Sequence, residues 1–195
     1  YLRDALGRGL VLQDEVRVNP FKYGFAGGSD LHSGLSVSTQ RDYGGSYYQP
    51  NIGPGRPSRA EATSILVPGS PRVEETRQTT SGNLTGAWAE SNTRESIYAA
   101  LRRRETFATT GTRLKIRFFG GWKFGGATLA DRNWVAAAYR DGVPMGSDLA
   151  AAPSSVRVPA FVAWVSKDPD GANLDRLQVI KVWLDGRQQR EQVFD

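Results

Sequence analysis

The sequence has no cysteine, one histidine and one methionine among its 195 residues. Without cysteine there are no disulfides, no thiolate metal ligands and no cysteine nucleophile. A serine–histidine–aspartate triad would have to use His32, and no Gly-x-Ser-x-Gly elbow accompanies it. No stretch approaches the roughly 18 unbroken apolar residues of a membrane span, so a membrane is not expected as a partner. The opening Tyr1-Leu2-Arg3-Asp4-Ala5-Leu6 is amphipathic rather than a signal peptide, and no methionine starts the chain. It reads as though cut from something longer.

What is present describes a folded chain: 39% hydrophobic and 23% charged residues, enough for one full core or two small ones. The formal net charge is +5, which permits attraction to anions. The arginines are spread along the chain, as on a solvated surface, so nucleic acid is not expected as a partner. Binding of that kind would collapse steeply with added salt.

The single histidine sits in Gly27-Gly28-Ser29-Asp30-Leu31-His32-Ser33-Gly34. Asp-x-His at the end of an extended segment places two side chains on one side of the backbone, because side chains repeat every second residue. A carboxylate and an imidazole suit zinc, manganese or iron. The flanking glycines allow close backbone approach. Alone, the pair is more simply read as a surface turn with a hydrogen-bonded histidine. Two ligands also make no site, since catalytic zinc takes about three from protein.

Around this stretch the chain divides. Leu2, Leu6 and Leu10 recur at a spacing of four, which predicts a helix over residues 1–12 that Gly7 and Gly9 weaken and end early. Phe21 to Ala26 alternates aromatic with small or polar residues and predicts a short strand delivering Asp30 and His32. A long loop rich in Gly, Pro, Ser, Thr and Asn spans 41–86, with Tyr43, Tyr47 and Tyr48 either lining an entrance or pinning the loop. A helix is predicted over about 92–104. Asn92 caps it, Glu95 completes a capping box, Ile97, Tyr98 and Leu101 share a face, and Arg102 to Arg104 complement the dipole in its last turn.

Beyond Gly111 the pattern is β. Arg113, Lys115 and Arg117 alternate with Leu114, Ile116 and Phe118. Asn133 to Arg140 suits strand or helix, and its place between turn signals favours strand. Val156 to Ser166 and Leu177 to Leu184 read as further strands, the second turning at Asp185-Gly186 into Gln192-Val193-Phe194. The last strand still runs at Asp195.

Several stretches, in one order, resemble a bacterial branch of the PHP (polymerase and histidinol phosphatase) superfamily of metal-dependent hydrolases, a branch labelled a domain of unknown function. They are Asn19-Pro20-Phe21-Lys22-Tyr23-Gly24, Gly28 to Gly34, Gly86 to Glu90 with Arg94-Glu95, and Ala100 to Gly111. Ile116 to Trp122, Lys167 to Gly171 and Leu174 to Gln178 follow.

The resemblance implies an α/β fold plus β. Residues 1–111 would be the C-terminal elements of a distorted βα barrel, and 112–195 an appended antiparallel β-rich, sandwich-like module. It implies two or three divalent metal ions at the strand ends, with the closing Asp-x-His motif on Asp30 and His32. The His-x-His and the other ligands of the superfamily have no counterpart here. The chain therefore looks like the C-terminal part, its partner being an N-terminal part of the same protein that carries the remaining ligands. Alone it is expected to be inactive.

The implied chemistry is attack of metal-activated water on a phosphoester, or on a carboxyl or carbamate ester, of a small-molecule substrate. Relatives look exported, which implies a periplasmic or secreted protein. Trp88, Glu90, Arg94, Arg103 and Glu105 lie in the matching motifs without an assigned role. One reading aims an arginine among them at an anionic substrate; a buried arginine–glutamate pair bracing the barrel is the simpler one. The alternative function is a non-catalytic β-rich binding module for carbohydrate or protein.

Overall fold

A computed structural model describes residues 2–30, 64–66, 73–75, 82–153 and 158–195. In chain order the elements are α1 (Leu2–Val16), β1 (Ser64–Leu66), β2 (Val73–Glu75), β3 (Leu84–Ala87), α2 (Arg94–Arg102), β4 (Thr106–Thr109) and β5 (Lys115–Gly121). A 3-10 turn (Thr128–Ala130), α3 (Trp134–Asp141), β6 (Gly142–Pro144), β7 (Ala160–Ser166), β8 (Val179–Asp185) and β9 (Gln188–Phe194) follow. Two compact units result, one of Tyr1–Gly24 with Arg117–Asp195 and the other of Phe25–Ile116.

The architecture mixes helix with antiparallel sheet. The sheets are β1-β2, β3-β4, β6-β5-β7 and β8-β9, and every pair with a described register is antiparallel. Among the described residues these sheets remain separate and form no closed barrel. The β-rich character expected of the C-terminal part is present in β5 to β9.

In the first unit, α1 outlasts both glycines and continues to Val16, against the expectation of an early end. Gly7 and Gly9 are its buried positions, and a Cβ on them would collide with the side chains of Gln189 and Asn19 respectively. Close packing against β8 and β9 therefore outweighs a propensity cost of about 1 kcal/mol per glycine. Arg3 pairs with Glu191 at 3.0 Å across the same contact. The helix stops where Arg17 turns left-handed, at φ 61°. The strand expected over Phe21 to Ala26 does not form; that segment has no ladder partner among the described residues.

The core of this unit is aromatic. Phe119 and Val162, from β5 and β7, are buried with Ala138 of α3, and Phe124 and Trp134 pack against them. The ring of Phe119 meets Trp134 and Tyr139 edge-on, at 6.0 and 5.0 Å between centroids. That packing explains why 134–141 is a helix and not the expected strand. Ala136, Ala137 and Ala138 favour helix, and in the helix Trp134 and Ala138, four residues apart, share the face that packs on Phe119 and Val162. The Asp185-Gly186 turn joins β8 to β9 in the expected hairpin, from Asp185↔Gln188 to Val179↔Phe194, with Gly186 at φ +60°.

In the second unit, β3 and β4 pair from Leu84↔Thr109 to Ala87↔Thr106, with α2 connecting them. Gly86 has no room for a Cβ, because the Phe107 ring lies over it. The helix cap lies one residue beyond the expected Asn92. Thr93 is extended, and its hydroxyl accepts from the Ser96 amide at 3.3 Å. The Asn92/Glu95 capping box is thus replaced by a Thr93 cap, and the Ser96 hydroxyl accepts from the Ser91 amide at 3.1 Å.

Candidate functional site

Asp30 follows a segment that is tied to β3 at Gly27. The Gly27 amide donates to Thr85 Oγ1 at 2.9 Å, and the same hydroxyl donates to the Gly27 carbonyl at 2.8 Å. Gly27 must be glycine there, since a Cβ would run into the Leu84 carbonyl. Three residues on, Asp30 is exposed and left-handed, at φ 56°. Aspartate visits that region more readily than most residues, because its short polar side chain bonds locally. Sequence reasoning missed Thr85: one threonine in a short strand carries no signal of a partner 58 residues away.

His32 lies outside the described residues, as do Tyr43, Tyr47 and Tyr48. Among the described residues no group of three or more His, Asp or Glu side chains could hold a metal ion. No helix among them is long and apolar enough to cross a membrane.

The motif residues after β3 fall into two sets. Trp88, Arg103 and Glu105 come together. Arg103 donates from Nε to Glu105 Oε2 at 2.9 Å and from a terminal nitrogen to the Trp88 carbonyl at 3.0 Å. The Trp88 amide donates to the Glu105 carbonyl at 3.1 Å, and its indole N–H to the Ile116 carbonyl at 2.8 Å. The Glu105 side chain is 2% exposed and that of Arg103 40%. Glu90 and Arg94 are exposed and stand apart from this cluster.

The end of α2 creates the arrangement. Arg104 is left-handed at φ 62°; its amide bonds to Leu101 O at 3.0 Å, and the Glu105 amide to Ala100 O at 3.1 Å. This is the Schellman pattern with arginine in the place usually held by glycine. The reversal returns the chain so that residues 103 and 105 meet. The expected arginine–glutamate pair is therefore Arg103–Glu105, and it braces the start of β4 against Trp88. Its described bonds tie backbone to side chain between the end of α2, Trp88 and the start of β4.

A 210 Å³ pocket in the other unit is lined by Lys123, Phe124, Thr128, Asp131 and Asp141, among others. The Arg140 guanidinium, hydrogen-bonded to Asp141 at 2.7 Å, holds the Asp141 carboxyl below the usual carboxylate range, with Lys123 acting in the same direction. The Asp131 carboxylate is already used locally, accepting from the Asn133 amide at 2.8 Å.

Compared with known proteins, the chain matches over residues 1–195 the family described as "Protein of unknown function (DUF3604)". No curated protein and no solved structure matches it.

Proposed function

The chain belongs to the DUF3604 family, and from that premise we propose that it is the ligand-completing part of a divalent-metal hydrolase. Asp30 and His32 are the two ligands it contributes. The observation that carries this reading is Asp30 itself: an exposed carboxylate at a left-handed residue, delivered by a backbone pinned to β3 through Thr85. Unusual backbone conformations of this kind cluster at ligand clamps and active sites. The motif resemblance to PHP proteins, and the barrel it implies, belong to the same reading.

The donor chemistry fits zinc, manganese or iron, since carboxylate oxygen and imidazole nitrogen are ligands to all three. Two ligands fall short of a centre, and the chain has one histidine. The reading therefore places the rest on an N-terminal part of the same protein. When bound, two or three such ions would acidify a water and polarise a phosphoryl or carbonyl oxygen of a small-molecule substrate. The chain's own share is narrower. Asp30 offers a carboxylate oxygen, and His32 a neutral ring nitrogen whose other N–H needs an acceptor to fix the tautomer.

The test is metal content by mass spectrometry, on this chain alone and on the protein with its N-terminal part. Stoichiometric metal in the longer form, lost in both Asp30→Ala and His32→Ala, is the expected result. Undiminished metal in either variant, or none in the wild type, overturns the proposal.

A second reading has one observation in its favour. Phe118 and Phe161 stack at 5.6 Å with planes 7° apart, and Phe161 is 56% exposed. Strand alternation puts both rings on the sheet face opposite Phe119 and Val162. Such a surface suits a carbohydrate- or protein-binding module, which would need no metal.

A further inference from the structure

Helix α2 carries an apolar stripe that it does not bury. Ile97, Tyr98 and Leu101 are 37%, 60% and 46% exposed, while Ala100, on another face, is fully buried. At 100° per residue, Ile97, Leu101, Arg94, Tyr98 and Arg102 follow one another around a single arc about 140° wide. Arg94 opens that arc along the helix and Arg102 closes it. Neither guanidinium has an ion-pair or hydrogen-bond partner among the described residues. The helix cannot roll to bury the stripe, because the Thr93 cap holds one end and the Arg103 bonds to Trp88 and Glu105 hold the other.

We propose that this face of α2 is a docking surface for an acidic amphipathic helix of a protein partner, with apolar side chains on Ile97, Tyr98 and Leu101 and carboxylates opposite Arg94 and Arg102. Charge complementarity selects the occupant. A second copy of this chain would bring arginine against arginine in either orientation of two α2 helices, and each copy carries a net charge of +5. Three apolar side chains on a nine-residue helix are also a small insert for a lipid surface. Helix-on-helix recognition with anchors at i, i+1 and i+4 and charged ends matches what is there.

The probe is a designed amphipathic peptide helix with a leucine stripe bordered by glutamates, beside a counterpart bearing lysines instead. Binding to the 195-residue chain is read by fluorescence anisotropy. The glutamate peptide is expected to bind about tenfold more tightly than the lysine peptide, a difference near 1.4 kcal/mol. The Arg94→Glu/Arg102→Glu variant should reverse that preference, and Leu101→Asp should weaken both peptides. The charge-reversed variant keeps every apolar side chain, so it carries the test even if Leu101→Asp misfolds. Equal binding of the two peptides, or a preference unchanged by charge reversal, overturns the proposal. So does dimerisation in sedimentation that Leu101→Asp abolishes, which would assign the face to a second copy. Equally tight binding to phosphatidylserine vesicles would assign it to lipid and overturn the proposal likewise.

Discussion

The two units are held by different physics. Around Phe119 the contacts are aromatic and aliphatic: Trp134, Tyr139, Phe124, Val162 and Ala138 close on one ring. Around β3 and β4 the buried side chains among the described residues are mainly polar, namely Glu105, Thr106 and Thr109, with Ala100 as the apolar contribution. Dispersion and water exclusion are non-directional and tolerate repacking, whereas a buried carboxylate depends on partners held in a particular geometry. The first region should therefore respond to lost volume, and the second to a lost partner even when volume is kept.

Truncating the aromatic core should have the largest effect. Phe119→Ala is expected to lower stability by about 4 kcal/mol, and Phe119→Leu by much less, as read by denaturant unfolding. If the leucine variant loses as much as the alanine variant, the core is not volume-limited and the contrast fails.

Next comes the tie. Arg103→Ala removes the guanidinium that Glu105 Oε2 accepts from and should cost about 2 kcal/mol, below the value for a fully buried pair because Arg103 is 40% exposed. Replacing Glu105 by Gln in that background should recover part of the loss, since a neutral amide is less costly to bury than a carboxylate that has lost its Arg103 bond. A double variant that is simply the sum of the two singles would break the account.

Thr85→Val keeps shape and removes both bonds to Gly27. It should cost about 1 kcal/mol and speed amide exchange near Gly27, while leaving the Phe119 region untouched. Uniform acceleration across the chain would mean that the two units do not respond separately.

The smallest effect concerns Asp141. Its carboxyl is held below the usual range by Arg140, so the stabilisation is present above the unfolded-state value and is lost as pH falls through the folded one. The stability gap between wild type and Asp141→Asn should therefore close as solutions are acidified, and a gap that widens would reverse the sign of this contribution.

Much of the local structure was readable from residue types. Alternation marked β5, Asp185-Gly186 marked the β8–β9 turn, and the run from Asn92 to Leu101 marked α2. Asp30 and His32 were legible as a carboxylate and an imidazole two residues apart, and Asp30 is found at a left-handed backbone position. Thr85 was not legible, because its role exists only where two distant segments meet. The α2 stripe was legible as a stripe, but not its exposure.

The sequence by itself determined the chemical repertoire of this protein: no thiol, one imidazole, an Asp-x-His in a glycine turn, and membership of a family matched along all 195 residues. It also determined elements whose signals are local, such as hairpin turns and alternating strands. Only tertiary structure decided that 134–141 is helical, that α1 runs past two glycines, and that Arg103 meets Glu105. For α1, packing against β8 and β9 outweighed a local preference of about 1 kcal/mol per glycine, a margin that close packing readily exceeds. For Arg103 and Glu105, near neighbours in sequence, the left-handed turn at Arg104 brings the two side chains together.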